Sequence, residues 1–382
     1  MSFGNLRTLD VVLKITERCN LDCDYCYFFN AGDDSYKDHA AIIAEGTVAL
    51  LVRRLREFSE EFGLQRMEVY LHGGEPLLMP KDRLDGICER LRSELEPVVD
   101  LSISIQTNGM LIDREWIDIF NRHGVAVGVS LDGAKKHNDV HRFDHRGRSS
   151  YRATVRGLRL CQAHLHRPPA ILSVLDENHD AGEIYEHFRG ELGLRHFDFL
   201  LPDVNHDNFD GNAEAYGDSL IEIFDRMVND DELVSVRFID HFLARIYGTG
   251  NFLFGAGESD PEYLLITVSS DGGVGPDDTL RTTKYWNGYQ YRDLRESSIA
   301  EIIQDPLFQE FEHFRKTPAS ACSACCWLDI CGSGQPVHRY ATGNGFDNPS
   351  VYCEGLDKFY THVLRYLALH GEPLETISAE LV

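Results

Sequence analysis

The chain has 382 residues, 43% of them apolar, enough to bury a sizeable core in one large domain with a smaller companion. Its 62 acidic and 37 basic residues give a formal net charge of -25, which repels a phosphate backbone, leaves no basic stripe of the kind nucleic acid needs, and favours a neutral or basic substrate. No signal-peptide pattern opens the chain and no apolar run approaches the ~18 residues of a membrane span, so a cytoplasmic protein is expected, without nucleic-acid or membrane partners, its ten cysteines serving as ligands or buried thiols.

Thr8–Thr16, "TLDVVLKIT", is a β-rich run that leads directly into Cys19, Cys23 and Cys26. Helical periodicity over 43–62 follows, then a strand in "MEVYLHGGEP" that breaks at paired glycines. Helix 80–96, strand "DLSISIQTNG" and helix 113–122 repeat the pattern, as do strand "VAVGVSLDG" and helix "YRATVRGLRLCQAHL". Strand "PPAILSVL", helix 180–190 and strand "LRHFDFLLP" complete it. Six strands alternating with helices predict a parallel sheet whose functional loops lie beyond the strand C-terminal ends. A closed barrel needs about eight such units, so residues 8–210 are read as an open, partial barrel.

Residues 211–315 read as a bridge: a helix at Ala213–Val228, the stretch "RFIDHFLARIYGTG", a hairpin in "YLLITVSSDGGVGPD" and a helix over 296–315. Residues 316–371 hold "CSACCWLDICGSGQPVHRYATGNGFDNPSVYC" and a sealing helix over 354–369. So many Gly, Pro and Asn residues with few periodic apolar runs require cross-links or a metal centre to hold one shape. The tail after Gly371 is expected to be loose.

Cys19, Cys23 and Cys26 have the spacing CxxxCxxC. Three soft thiolates suit zinc or iron–sulfur chemistry, and they leave one iron of a four-iron cluster open to another ligand. A closed zinc site needs a fourth donor, for which His39 is the candidate. Cys322, Cys325, Cys331 and Cys353 form a second set able to close a cluster fully, with Cys326 beside Cys325 as a competing ligand. Cys88 and Cys161 fall in helical patterns as small buried hydrophobes.

These motifs resemble the radical S-adenosylmethionine (SAM) superfamily over nearly the whole chain. The resemblance implies an α/β fold, a partial (β/α)6 radical SAM barrel with a C-terminal α+β SPASM-like iron–sulfur domain. It implies SAM and two [4Fe–4S] clusters: one on Cys19, Cys23 and Cys26, with the aromatic Tyr25 before the last ligand, and an auxiliary one on Cys322, Cys325, Cys331 and Cys353. In that family the open iron chelates SAM, and one electron from a reductant such as flavodoxin or ferredoxin releases a 5'-deoxyadenosyl radical.

"GGEP", Gly73, Gly74, Glu75 and Pro76, resembles the motif at the SAM amino group. Glycines permit close backbone approach, and Glu75 takes the ammonium or stabilises the turn. "SIQTNG" puts Ser104, Gln106 and Asn108 on one strand face, and "VSLDG" aims Ser130 and Asp132 at the strand mouth; Gln106 and Ser130 are expected near SAM. Arg142 is the candidate for the SAM carboxylate, which a guanidinium can hold bidentately. Leu201 and Pro202 are expected against adenine. Asp203, His206 and Asp278 are the nominated acid–base groups, with Asp207 at the cavity rim. His241, Arg237, His338 and Arg339 stay unassigned, the last two as braces of the cluster loop.

The C-terminal block resembles the SPASM domain of peptide-modifying enzymes. It departs from the two-cluster pattern: Gln335 stands where a further cysteine is found, and "SSDGGVGPDDTL" has none. The resemblance therefore implies one auxiliary cluster and a maturase of a ribosomal precursor peptide, cross-linking an aromatic ring carbon to a β-carbon as a cyclophane. Alternatives are a thioether-forming maturase, a peptide epimerase, a sulfatase maturase making formylglycine from Cys or Ser, and, in another class, a non-catalytic iron–sulfur electron carrier.

Overall fold

The computed structural model describes residues 6–248, 263–286 and 291–371. Strands β1 (Thr8–Thr16), β2 (Arg66–Gly73), β3 (Asp100–Thr107), β4 (Ala126–Ser130), β5 (Ala170–Val174) and β6 (His196–Leu200) lie side by side in chain order. All their pairings are parallel, with helices Glu45–Phe62, Lys81–Leu95, Arg114–His123, Tyr151–His164 and Ala181–Glu186 in the crossovers. Along β1 buried residues alternate through Leu9, Val11 and Leu13, after which Lys14, Ile15 and Thr16 are all buried. The switch from one covered face to two marks the end of the strand at which the chain closes over an interior.

The bridging stretch does not form a separate layer. Its hairpin is present, and β8 (Tyr263–Val268) pairs parallel to β1 from Thr8↔Tyr263 to Leu13↔Val268. Strands β9 (Gly273–Gly275) and β10 (Arg292–Asp293) continue antiparallel, while β7 (Ser235–Val236) extends the other edge beside β6. The sheet order is β10-β9-β8-β1-β2-β3-β4-β5-β6-β7. Local periodicity shows that a hairpin exists but not which edge it joins, so the boundary at 210 divides segments that share one sheet. "RFIDHFLARI" is a helix, Arg237–Ile246. The helix read over 296–315 is two, Ile299–Ile302 and Pro306–Lys316, because Asp305 caps the second and proline follows it. The tail after Gly371 lies outside the described residues. Among those, no helix is long and apolar enough to cross a membrane.

The C-terminal helix Cys353–Leu369 packs on Ala213–Val228 at a glycine pair. A Cβ on Gly355 would lie 2.0 Å from the Ala213 carbonyl oxygen, and one on Gly217 would lie 2.4 Å from that of Gly355. The obstacle is backbone on both sides, so no rotamer relieves it. Gly355→Ala should therefore cost about 1–3 kcal/mol and lower the melting temperature. Gly86→Ala, in an exposed helical position with open space around its Cα, should leave it unchanged or raise it.

Candidate active site

A cavity of about 710 Å³ opens at the C-terminal ends of the strands. The loop after β1 contributes Cys19, Cys23, Tyr25 and Cys26; the ends of β2, β3 and β4 contribute Gly73–Glu75, Gln106, Asn108 and Ser130; Arg142 and Leu201–Asp203 complete that side. Among the described residues no three His, Cys, Asp or Glu side chains converge as a single metal ion would require. Three soft thiols facing one cavity can serve zinc or an iron–sulfur cluster. Burial pushes the Cys19 thiol up to about 12 and Cys23 to about 11, so iron would have to supply the positive charge that keeps them thiolates. His39 does not line this cavity; its Nδ1 lies 2.7 Å from the buried Glu17 carboxylate and its Nε2 3.6 Å from Asp271.

The cysteine loop is fastened to the turn after β2. Gly74 N donates to Thr16 O at 3.0 Å and Glu75 N to Arg18 O at 2.8 Å. A Cβ on Gly74 would lie 2.3 Å from Arg18 O and 2.8 Å from the Phe29 ring. The close approach these glycines permit is therefore toward the cysteine loop itself. Of the two roles open to Glu75, the structure shows turn stabilisation: its carboxylate accepts from Leu77 N (3.0 Å), Thr107 Oγ1 (2.6 Å) and Asn108 N (2.8 Å). Pro76 is buried in the short helical turn Pro76–Leu78 and does not line the cavity.

Arg142 is buried, donates through Nη1 to the Tyr25 hydroxyl (2.7 Å), and keeps its Nε without a partner. Tyr25 in turn donates to Asp132 Oδ2 at 2.6 Å, and Asp132 Oδ1 accepts from Val174 N. Asp132 thus anchors Tyr25 from behind the cavity wall and does not line it. Gln106 Nε2 donates to Ser130 Oγ at 2.7 Å, in space that a Cβ on Gly128 would occupy. Asn108 Nδ2 donates to Asn20 Oδ1, next to Cys19. An unsatisfied buried guanidinium beside an amide–hydroxyl pair suits a ligand with a carboxylate and several hydroxyl groups.

Residues 13–188 match the family model described as the Radical SAM superfamily. That stretch is a radical SAM domain. Over 368 residues the chain is 23% identical to a cysteine-type anaerobic sulfatase-maturating enzyme of Clostridium novyi, covering 93% of this chain and 95% of that one. It is 26% identical over 374 residues to a serine-type anaerobic sulfatase-maturating enzyme of Klebsiella pneumoniae, covering 94% and 88%. A solved structure titled native anSMEcpe with bound AdoMet shares the fold, with a TM-score of 0.81, 22% identity, and coverage of 94% of this chain and 98% of that chain.

The cavity distributes the nominated acid–base groups unequally. Asp203 lines it, and burial, with the Asp277 and Asp278 charges nearby, raises its carboxyl to about 7. Asp278 is locked in a buried ion pair with Lys14; burial opposes its charge, but Lys14 outweighs burial and holds it below the ordinary carboxylate range. Lys14 also donates to Tyr27 Oη and His72 Nδ1, each at 3.1 Å, and Tyr27 donates to Asp278. Burial first, then the Lys14 cation, pushes His72 down to about 3. Sequence reading missed this group; its one signal was a lysine among the apolar residues of β1. His206 and Asp207 are exposed outside the cavity, engaging the Pro349 carbonyl and Thr342 respectively. His241 and Asp277 line the cavity, whereas Arg237 pairs with Asp198.

In the C-terminal block, the Cys331 thiol feels Cys353, Cys322 and Cys325, and Cys353 feels Cys322 and Cys325. Cys326, exposed, neighbours Cys325 and Asp357. Arg339 donates to the carbonyls of Phe346, Phe314 and Thr317, bracing this block from inside. His338 Nε2 and Tyr352 Oη both donate to the Pro202 carbonyl, at 3.1 and 2.9 Å, so the block also holds the Asp203 loop.

Lys14→Met would leave Asp278 charged and buried with one hydroxyl donor, at a cost of about 3–5 kcal/mol. Thermal unfolding should show a large fall in melting temperature, and Lys14→Met/Asp278→Asn should recover part of it.

Proposed function

We propose that this radical SAM protein oxidises a side chain within a peptide or protein segment by two electrons, in the manner of sulfatase maturation, turning Ser into the formylglycine aldehyde directly, or Cys into a thioaldehyde that water then hydrolyses to the same aldehyde with loss of sulfide. The observation that carries this is the composition of the single cavity. It joins the three-cysteine loop, the Arg142–Gln106–Ser130 wall and, beyond them, Asp203, Asp277, His241 and Tyr263, which leaves room for a second molecule beside SAM. The near full-length coverage of sulfatase-maturating relatives supports the same reading.

Cys19, Cys23 and Cys26 would hold the SAM-binding cluster, and Cys322, Cys325, Cys331 and Cys353 an auxiliary cluster suited to receive an electron. When bound, SAM and its cluster supply a carbon radical able to take a hydrogen atom from an unactivated C–H bond. Arg142 would hold the SAM carboxylate, with Tyr25 and Asp132 fixing the guanidinium. Gln106 and Ser130 would serve the ribose, and Leu201 the adenine. Asp203 accepts the proton that leaves the substrate with its second electron, a role its near-neutral titration fits. Apolar walls such as Phe311 and Leu265 shield the carbon radical from solvent until oxidation is complete.

A second reading, an intramolecular cyclophane-type cross-link in a ribosomal precursor peptide, draws support from one feature. Gln335 and the cysteine-free segment around Asp277 and Thr279 line the cavity, so positions that carry cluster cysteines in two-cluster relatives face substrate space here.

The deciding experiment incubates reconstituted protein anaerobically with SAM, a reductant, Cys- and Ser-containing sulfatase-type peptides, and peptides encoded beside the gene. A product trapped by a hydrazide reagent identifies the aldehyde; loss of two hydrogens with fragments missing between two residues identifies the cross-link. Cys19→Ala should abolish 5'-deoxyadenosine formation. Because Asp203 is ionised only above about 7, product formed per SAM cleaved should rise with pH through that value. Asp203→Asn should remove the inflection and lower product by roughly 10²-fold or more while SAM cleavage persists.

A further inference from the structure

The buried ammonium of Lys14 has three protons and three acceptors to match. Asp278 Oδ2, Tyr27 Oη and His72 Nδ1 take one each, the last two at 3.1 Å. An ammonium only donates, so His72 Nδ1 must offer its lone pair, although the Gly73 carbonyl lies 3.2 Å from the same nitrogen. A neutral imidazole whose Nδ1 is an acceptor carries its single proton on Nε2. The tautomer of this β2 residue is therefore set by a lysine on β1, which is itself held by a carboxylate that follows β9. The ring also resists a second proton: burial, then the Lys14 cation, outweighs the opposing pull of Asp278 and the Gly73 carbonyl and holds it down at about 3.

His72 lines the cavity beside Tyr27, while Lys14 and Asp278 lie behind the wall. Both of its polar contacts within the chain, to Lys14 and to Gly73, run through Nδ1, and among the described residues none reaches Nε2. The cavity is thus presented with one uncharged N–H donor in a fixed tautomer. Neither Arg142 nor the Gln106–Ser130 pair, which serve SAM in the reading above, is hydrogen-bonded to it. Its charged neighbours are Lys14 and Asp278, and Asp277, next in the chain, lines the part of the cavity assigned above to a second molecule.

We propose that His72 holds the peptide rather than SAM, its Nε2–H donating to an uncharged acceptor of the substrate, either the main-chain carbonyl of the residue being oxidised or that residue's hydroxyl or thiol. The proposal rests on the peptide-oxidation reading above and adds to it a donor that, unlike Asp203, neither gains nor loses a proton. A neutral donor suits a neutral acceptor and rejects a cationic side chain at that point. Donation to the hydroxyl or thiol would also ease departure of its proton toward a base.

The test uses cluster-loaded protein with SAM, dithionite and the Ser- and Cys-containing peptides. His72→Phe keeps a planar ring and removes the donor. His72→Gln keeps both functions, its amide oxygen accepting from Lys14 and its amide N–H donating into the cavity. His72→Phe should lower kcat/KM for the peptide by about tenfold or more, and His72→Gln should recover most of the loss. A rise in peptide KM alone identifies the carbonyl as acceptor; a fall in kcat, with less product per SAM cleaved, identifies the hydroxyl or thiol. Unchanged kcat/KM in His72→Phe, no recovery in His72→Gln, or a change confined to the KM for SAM would each overturn the proposal. Nitrogen NMR of the histidine-labelled protein, with His72→Gln assigning the signal, needs no turnover. It should show Nε2 protonated, no titration between about pH 5 and 8, and a shift of that signal on adding N-acetylserinamide. A proton on Nδ1, a titration in that range or no response to the amide would overturn the proposal. Failure of every peptide to react would sink the oxidation reading separately, and the spectra would still decide the donor.

Discussion

The carboxylate of Glu75, sealed from solvent and answering three donors from the turns after β2 and β3, is the constraint on which the rest of the cavity depends. Through its backbone the same residue bonds to the cysteine loop, so three successive strand ends are tied at one point. A buried carboxylate is expensive to leave unpaired, and full satisfaction of this one makes the arrangement stiff. The cysteines consequently sit on a base set by the sheet, not by the flexibility of their own loop. Gly73 and Gly74 complete the junction by removing the side chains that would hold these turns apart.

Much of this architecture is legible in the sequence because it repeats. The six βα units show as alternating apolar periods, and the strand ends show as Gly, Asn and Asp breaks, so the cavity wall from Cys19 to Arg142 can be placed by counting units. Long-range pairing leaves no such trace. Nothing local in "YLLITV" states that it will lie parallel to β1, and the helix Arg237–Ile246 and the break before Pro306 emerge only once tertiary contacts and capping are known. Cys326 illustrates the same point: spacing favoured Cys325, but only the fold shows which thiols feel one another.

The acid–base groups were less legible because protonation depends on neighbours far away in sequence. In sequence Asp278, after the hairpin, and Asp203, after β6, are both loop carboxylates. The partner of Asp278, Lys14, is a lone cation within an apolar strand, more than 250 residues earlier. That partner converts Asp278 from a free base into half of a buried ion pair, while Asp203 meets only burial and like charge and stays near neutrality. His206 reads as a cavity residue from its position after β6, yet the turn at 203–206 carries it to the outside.

Pro202 has no amide hydrogen and takes part in the network through its carbonyl, which accepts from Val204 N of its own loop and from two side chains of the C-terminal block. The residue that follows it is Asp203. Asp203 is therefore carried on a peptide whose orientation is set in part by another region of the chain, and any disorder among the C-terminal cysteines would travel to that side of the cavity through one shared oxygen atom.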